Sequence, residues 1–308
     1  ATTEIYTLSL HDALPICVMD CAKGIALMAV NDGVLWDYVS IGSGRGLPVP
    51  NTPLPIVAIT TTAGTGSEMD GAGVITKEDS FEKAFIMHPG LFPKLSIVDP
   101  ELMQTVPSKF TAYQGFDALF HSVEGFIAKG ANPMSDMYAL CAIENIARHL
   151  PQAVNNGSDL EARSHVAFGN SLSGVVMNLT LLTSEHGMEH ALSAYHPNLP
   201  HGAGLIMISN AYYAYFVRNH GCDERFIRLA KAMGMTAATA PEDFLTALEK
   251  LQQECGVADL RMSDFGITPD ECGKFARNAR EVMGVMFTSD RVPMSDSDVE
   301  RIYRDSYR

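Results

Sequence analysis

The sequence predicts two structural regions, an α/β region over residues 1–102 and an all-α region over residues 103–308. Strand-like runs occur only before Pro107, where PIVAITTT at 55–62 and LSIVDP at 95–100 are rich in β-branched and apolar residues. After Pro107, apolar residues recur at helical spacing and helix-start signals repeat. A chain of 308 residues with 46% hydrophobic residues can bury the core that both regions need.

The α/β region is expected to contain one helix, two strands and one hairpin. Apolar residues at helical spacing predict the helix from Val18 to Val30. Residues Gly73 to Ile86 surround a Lys-Glu-Asp-Ser turn and predict the hairpin. Residues 1–16 show neither the helical nor the strand periodicity of apolar residues. They resemble sequencing-adapter read-through joined to a gene fragment. We therefore expect them to be foreign to the fold.

The helical region carries three hydroxyl-to-carboxylate pairs of the kind that cap helix starts, because each side chain can bond a free N–H group. We expect C-terminal helices to start at these pairs, which are Thr239/Glu242, Thr268/Glu271 and Ser297/Glu300. The stretch from Ala167 to Leu182 is apolar nearly all round, which a helix tolerates when neighbours cover every face. We expect it to be the central helix of a bundle.

Charge and composition exclude several classes of function. Lys plus Arg number 22 against 36 Asp plus Glu, a net charge of −14 that repels nucleic acid and anionic membranes. No apolar run is long enough to span a bilayer and no secretory signal is present, so the cytoplasm is the expected location. The six cysteines are scattered without a C-x-x-C pair, which predicts reduced thiols rather than a disulfide frame.

Two distant segments together predict a metal site. Asp117 and His121 are four residues apart in a helical segment, so both side chains leave one helix face. Four of the ten histidines fall within sixteen residues downstream; they are His186, His190, His196 and His201. Imidazoles with a carboxylate suit Fe²⁺ or Zn²⁺, and an open coordination position indicates a catalytic metal. Spacing alone does not say which histidines of the downstream group would bind the metal, nor which metal.

Five motifs resemble, in order and spacing, those of group III (iron-dependent) alcohol dehydrogenases: VMDCAKGIA, TTAGTGSE, VITKEDSFEKAF, GFDALFHSVE and HGMEHALSAYHPNLPHG. The resemblance runs from Val18 to the C-terminus. It implies the dehydroquinate synthase-like fold, with a truncated, Rossmann-like dinucleotide-binding domain over residues 1–102 and a metal-binding catalytic domain over residues 103–308. It also implies hydride transfer between a primary alcohol or aldehyde and NAD or NADP.

The resemblance assigns roles residue by residue. The family's metal ligands match Asp117, His121, His186 and His201. The second histidine of the H-x-x-x-H pair is His190, which lies beside the nicotinamide in the family and is therefore a candidate proton relay. The family's cofactor contacts that remain in this sequence are Asp20, Lys23, Thr61, Thr62, Gly64, Thr65, Ser67 and Lys83. The resemblance also implies a homo-oligomer.

One departure from the family pattern concerns the cofactor. The family has a Gly-Gly-Gly-Ser turn, which lets backbone N–H groups approach the pyrophosphate, where this sequence has Leu14, Pro15, Ile16 and Cys17. Side chains and the missing proline N–H obstruct that approach, so we expect weak dinucleotide binding. The choice between NAD and NADP is not readable here.

Two other functions remain open on the sequence. A lyase resembling dehydroquinate synthase shares the fold, but a polyanionic substrate needs basic residues near the metal. Between Pro107 and Leu160, the only lysines and arginines are Lys109, Lys129 and Arg148. The other alternative is a metal-binding remnant that has lost cofactor binding. A small neutral alcohol or aldehyde fits the sequence best.

Overall fold

The computed structural model describes residues 17–308, and the elements named below are those of that range. Residues 1–16, which the sequence predicts to be foreign, lie outside the described residues, as does most of the segment that replaces the family's glycine turn. The first region has one α-helix and four strands: α1 (Cys17–Met28), β1 (Val57–Thr60), β2 (Ala72–Lys77), β3 (Glu82–Met87) and β4 (Leu95–Val98). The predicted helix, strands and hairpin of this region are confirmed.

The strands form two separate pairs among the described residues. Strands β1 and β4 run parallel, with Val57 opposite Leu95, whereas β2 and β3 form an antiparallel hairpin. Phe81 at the hairpin turn has a φ of 53°, a backbone angle that residues other than glycine rarely adopt. Its ring stacks on Tyr195 at 4.6 Å and its carbonyl accepts a hydrogen bond from Asn278 Nδ2 at 2.8 Å. These contacts hold the hairpin against the helical region.

The second region is helical throughout, as predicted. Its helices are α2 (Ser108–Ile127), α3 (Pro133–Asn155), α4 (Leu160–Leu179), α5 (Ser184–Tyr195), α6 (His201–Arg218), α7 (Asp223–Ala232), α8 (Glu242–Glu254), α9 (Cys272–Phe287) and α10 (Asp296–Ser306). Helix α2 is the central one, because every residue from Thr111 to Ile127 is buried. A Cβ at Gly115 would lie 2.2 Å from Leu150, so glycine permits the close approach of α3.

The prediction that the stretch from Ala167 to Leu182 is the central helix is wrong. Helix α4 ends at Leu179, and the side chain of Phe168 is 50% exposed. Hydropathy measures how apolar a segment is but does not report which faces its neighbours cover. Small residues such as Gly169, whose Cβ would lie 2.6 Å from Ile146, pack α4 tightly against its neighbours but leave the face that carries Phe168 exposed.

The three predicted helix starts have different outcomes. Thr268 and Glu271 form the predicted capping box ahead of α9. Helix α10 is capped instead by Ser295 with Asp298, two residues before the predicted pair, so a serine and a carboxylate three residues apart again form the cap. Thr239 does not cap α8; the carboxylate of Asp243 accepts hydrogen bonds from the N–H groups of Thr239 and Ala240 at 2.7 and 2.9 Å.

Two predictions from composition concern thiols and membranes. Cys141, Cys222, Cys255 and Cys272 are free thiols. Taken one at a time, the helices of residues 17–308 are all too short or too polar to cross a bilayer; α4 and α5 reach the needed length and apolarity only as a pair, bent by 106°.

Candidate metal centre

The four side chains that the resemblance assigns to the metal converge inside the helical region. Helix α2 contributes Asp117 and His121, α5 contributes His186, and α6 begins with His201. Asp117 Oδ1 lies 3.4 Å from His121 Nδ1, 3.3 Å from His186 Nε2 and 3.6 Å from His201 Nε2. One carboxylate oxygen thus faces three imidazole nitrogens in a buried site.

The donor set fits a divalent cation. Asp117 Oδ2 and His121 Nδ1 are buried and have no hydrogen-bond partner among the described residues. Leaving a buried polar atom unpaired costs roughly 1–3 kcal/mol, so two such atoms in one cluster indicate a missing partner. Three imidazoles and one carboxylate are ligands that Fe²⁺ and Zn²⁺ both accept. The site therefore fits the metal that the sequence predicts, without deciding between the two ions.

Electrostatics also prepare two of these residues for a cation. Burial raises the pKa of Asp117, but the neighbouring histidines, His121 first, outweigh it and lower that pKa to about 2. Burial, together with His186, lowers the pKa of His121 to about 4. Asp117 is thus ionised and His121 neutral near pH 7, which are the forms that bind metals.

Two carboxylates that the sequence analysis missed lie behind the histidines. His186 Nδ1 is hydrogen-bonded to Glu124 Oε1, and His201 Nδ1 to Glu189 Oε2. A carboxylate on Nδ1 holds a histidine in the tautomer that leaves Nε2 free for a metal. The sequence carries a signal for one of them, because Glu124 follows His121 by three residues on the same helix.

The negative charge of Glu124 strongly affects the pKa of His186. Burial lowers the pKa of this histidine, but the carboxylates of Glu124 and Asp117 outweigh it and raise that pKa to about 10. His186 therefore holds a proton that a metal ion has to displace when it binds.

The other two clustered histidines lie outside the quartet. His190 has its ring centroid 5.5 Å from that of His201, and its Nδ1 lies 3.1 Å from the main-chain oxygen of Lys83. His196 points away and pairs with Glu271 Oε1 at 3.1 Å. The structure thereby separates the four histidines that spacing alone left equivalent.

A cavity of about 130 Å³, partly open to solvent, extends from the histidines. Both polar and apolar side chains line it. Four predicted cofactor residues line it, namely Asp20, Thr65, Ser67 and Lys83. Its apolar wall includes Met177, Leu181, Leu182, Met283 and Met286. The remaining predicted cofactor residues, Lys23, Thr61, Thr62 and Gly64, are not among the residues that line it.

Lys23 has a different set of partners from the one predicted. Its ammonium group is 1% exposed and contacts Ser67 Oγ, Asp70 Oδ1 and the main-chain oxygens of Ser67 and Ala72 at 2.6–2.8 Å. Asp20 accepts hydrogen bonds from Ser67 Oγ at 2.7 Å and Val74 N at 2.9 Å. An ammonium group has three N–H donors, so Lys23 has none left for a cofactor. It instead ties α1 to the cavity wall.

The TTAGTGSE loop is pinned to the helices by close backbone contacts. Gly66 has a φ of 63°, and its N–H donates to Asn170 Oδ1 at 2.9 Å. A Cβ at this glycine would lie 2.7 Å from Gly174 on α4. A Cβ at Gly64 would likewise lie 3.0 Å from Gln114 on α2. The glycines thus let the loop lie close against α4 and against α2, the helix that carries Asp117 and His121.

Comparisons with known proteins agree with this arrangement. Residues 17–100 match the family model of iron-containing alcohol dehydrogenase, and residues 111–307 match that of the Fe-containing alcohol dehydrogenase family, C-terminal. The NAD-dependent methanol dehydrogenase of Bacillus methanolicus is 33% identical over 276 residues, which are 85% of this chain and 68% of that protein. The 1,3-propanediol dehydrogenase of Klebsiella pneumoniae is 36% identical over 254 residues, covering 80% of this chain and 63% of that protein.

Solved structures show the same relationship. An archaeal halo-thermophilic alcohol dehydrogenase from a Red Sea brine pool superposes with a TM-score of 0.87 at 31% identity, over 94% of this chain and 74% of that one. A 1,3-propanediol oxidoreductase gives 0.83 at 32% identity, over the same shares of the two chains. The α/β region followed by a helical domain is thus the fold of these relatives. The chain belongs to the iron-containing alcohol dehydrogenase family.

Proposed function

We propose that this chain carries the metal centre of an NAD(P)-dependent alcohol dehydrogenase, with Asp117, His121, His186 and His201 as the metal ligands. The observation that supports this most directly is the contact of Asp117 Oδ1 with three imidazole nitrogens at 3.3–3.6 Å, at the wall of a cavity. The substrate would be a primary alcohol in one direction and an aldehyde in the other. Fe²⁺ and Zn²⁺ both remain candidates for the metal.

A bound Fe²⁺ or Zn²⁺ would supply Lewis acidity toward a substrate oxygen, and NAD or NADP would accept or supply the hydride. The protein's own part begins with charge. Asp117 supplies one negative charge, and the imidazoles would supply none once His186 has given up its extra proton, so these four ligands would leave a divalent ion with net positive charge. That residual charge favours a substrate oxygen carrying negative charge.

His190 is the proposed acceptor of the alcohol proton. Its Nδ1–H donates to the main-chain oxygen of Lys83, which leaves Nε2 as an acceptor. Burial, followed by the positive charge of Lys83, lowers the pKa of His190 well below 6.5. His190 is neutral at pH 7, so it can take a proton in passing but does not store one.

The cavity's lining favours a neutral substrate with an apolar chain. Methionine and leucine side chains contribute much of its apolar lining. Among the described residues that line it, Lys83 is the one lysine or arginine, and Glu189 lies 3.4 Å from its ammonium group. A polyanionic substrate would lack free cationic partners. This observation weighs against the lyase alternative.

The expected cofactor residues are retained as proposals with unequal support. Asp20, Thr65 and Ser67 are among the polar residues that line the cavity, where a nicotinamide ribose could be held. We also propose that the boundary between the two domains lies at residues 102 and 103. For the protein as a whole we propose a cytoplasmic location, a homo-oligomer, and no nucleic-acid or membrane partner. The charge of −14 supports the absence of nucleic acid.

One experiment tests the proposed activity and separates it from the remnant. The protein is purified without oxygen, loaded with Fe²⁺ or Zn²⁺, and titrated with NADH and with NADPH in a calorimeter. The same sample is then assayed with a panel of primary alcohols by NAD(P)H absorbance. Binding of a reduced cofactor with alcohol-dependent reduction is expected. Normal metal content without any cofactor heat would support the remnant instead.

A further inference from the structure

The acidic residue between the paired histidines has contacts that the metal site alone does not explain. Glu189 is fully buried, and its Oε2 contacts His201 Nδ1. The same oxygen lies 3.4 Å from Lys83 Nζ and 3.3 Å from Ser193 Oγ, whereas Oε1 has no hydrogen-bond partner among the described residues. A buried carboxylate needs a compensating charge, and here the compensation comes from a lysine.

Lys83 brings that charge from the other region of the chain. It lies on β3, and its ammonium group donates to Ser193 Oγ at 2.9 Å and lies 3.3 Å from His201 Nδ1. Its main-chain oxygen accepts from His190 Nδ1 at 3.1 Å. One residue of the hairpin therefore contacts both histidines at the end of the cavity, one through its backbone and the other through its side chain.

A second metal ion is the alternative explanation for this cluster. Potential ligand atoms of Glu189, His190 and His201 lie within 4.8 Å of one another, which is close enough for a cation. The ammonium of Lys83, however, already lies 3.3–3.4 Å from two of those three residues. A second cation there would be repelled by the lysine at short range. The lysine takes the place that a metal would need.

We propose that Lys83 and Glu189 are positioning residues that act as a pair on His201. The carboxylate accepts from Nδ1–H of His201 and so directs Nε2 toward Asp117, and the lysine makes burial of that carboxylate tolerable. Lys83 therefore serves the metal centre rather than the dinucleotide. This inference rests on the proposed metal site, but not on the identity of the substrate or on cofactor binding.

The test measures how fast the metal leaves. Zn²⁺-loaded protein is mixed with excess chelator, and released zinc is followed over time for the wild type, Glu189→Gln, Lys83→Met and the double variant. The control is Glu68→Gln, which removes another buried carboxylate, bonded to Asn170 and Ser171 and to no histidine. Glutamine keeps the shape of glutamate, and circular dichroism checks that each variant is folded.

We expect Glu189→Gln to release zinc about 10- to 100-fold faster than the wild type, as is typical for removal of a residue that orients a metal ligand. Lys83→Met should also accelerate zinc release. In the double variant, the increase in release rate should be smaller than the product of the two single increases. Glu68→Gln should release zinc at the wild-type rate. In Co²⁺-loaded protein, the visible absorption band should change in Glu189→Gln and not in Glu68→Gln.

Two results would overturn the inference in distinguishable ways. If folded Glu189→Gln releases zinc as slowly as the wild type and keeps the same Co²⁺ spectrum, Glu189 does not position His201, although the metal site stands. If the wild type takes up no zinc at all, the proposed metal centre fails and this inference fails with it. Independent, multiplicative effects of the two substitutions would refute the claim that they act as a pair.

Discussion

Asp117 Oδ1 on α2 lies 3.6 Å from His201 Nε2, on the first residue of α6. The two residues are far apart in the sequence, and only the packing of α2 against α6 and α5 brings them together. Because α2 is buried over nearly its whole length, the carboxylate is held at a fixed depth in the core. The proposed metal site therefore lies within the helical core, and Lys83 of the hairpin contacts it from the α/β region.

Replacement of His190 should separate proton transfer from metal binding. His190→Ala removes the proposed proton acceptor but none of the four proposed ligands, so metal content should stay at the wild-type level. The rate of alcohol oxidation should fall by about 10²- to 10⁴-fold, the usual contribution of a positioned base. Elemental analysis and steady-state kinetics on one preparation check both. Loss of metal in parallel with activity would refute this division of roles.

Lys23 is expected to matter for stability because its pair with Asp70 is buried. Lys23→Met leaves Asp70 without its ammonium partner, and breaking a buried pair in this way costs about 3 kcal/mol of unfolding free energy. Lys250→Met is the matched control, since Lys250 is 73% exposed beside Glu254 and its loss should change stability by less than about 0.5 kcal/mol. Urea unfolding compares the two variants, and similar effects would contradict the account.

A buried carboxyl outside the metal site should make stability depend on pH. Burial raises the pKa of Asp290 from 3.8 to about 7, although Ser184 donates to it through its N–H and hydroxyl groups. The folded state therefore binds this proton more tightly than the unfolded state. Its contribution to stability is fully present below pH 3.8 and is lost as the pH rises to about 7.

The variant Asp290→Asn lacks this titration and therefore serves as the reference for the wild type. Between pH 5 and pH 8, the unfolding free energy of the wild type should fall by about 3 kcal/mol relative to the variant, at 1.36 kcal/mol for each pKa unit. Urea unfolding at a series of pH values measures the difference. Parallel curves over this range would show that the carboxyl is already ionised at pH 5.

The apolar wall of the cavity should set the length of substrate that fits. Met286 is 4% exposed and lines the cavity, so Met286→Phe should reduce kcat/KM for pentanol about 10-fold more than for ethanol. Val285→Phe changes the adjacent residue, which is 39% exposed and is not among those that line the cavity. Equal losses for both alcohols, or an equal effect of the control, would show that Met286 does not limit the length of the substrate.

The sequence predicted those features that depend on local pattern or on short motifs. The hairpin, the strand from Val57 to Thr60 and the helix face shared by Asp117 and His121 follow from neighbouring residues, and the structure contains them. It did not predict α2 as the central helix, because hydropathy along α4 does not show that Phe168 remains exposed. Local pattern does not report which faces meet.

Only part of the candidate site was predicted from the sequence, again because local pattern does not show which faces meet. The proposed metal quartet was predicted through motifs, whereas the contact of Glu189 with Lys83 depends on where the hairpin packs against α5. Lys23 shows what a short motif leaves out. A lysine near a cofactor motif resembles a ligand, but its partners, Ser67 and Asp70, lie more than forty residues away and use all of its donors.

Metal content in three proteins tests the central claim most directly. Wild type, His201→Ala and His196→Ala are loaded with Fe²⁺ or Zn²⁺ without oxygen, passed over a desalting column and measured by elemental analysis. The account predicts about one metal per chain in the wild type and in His196→Ala, because His196 pairs with Glu271 away from the site, and far less in His201→Ala. A wild type without metal, or retention by His201→Ala with loss from His196→Ala, would contradict it.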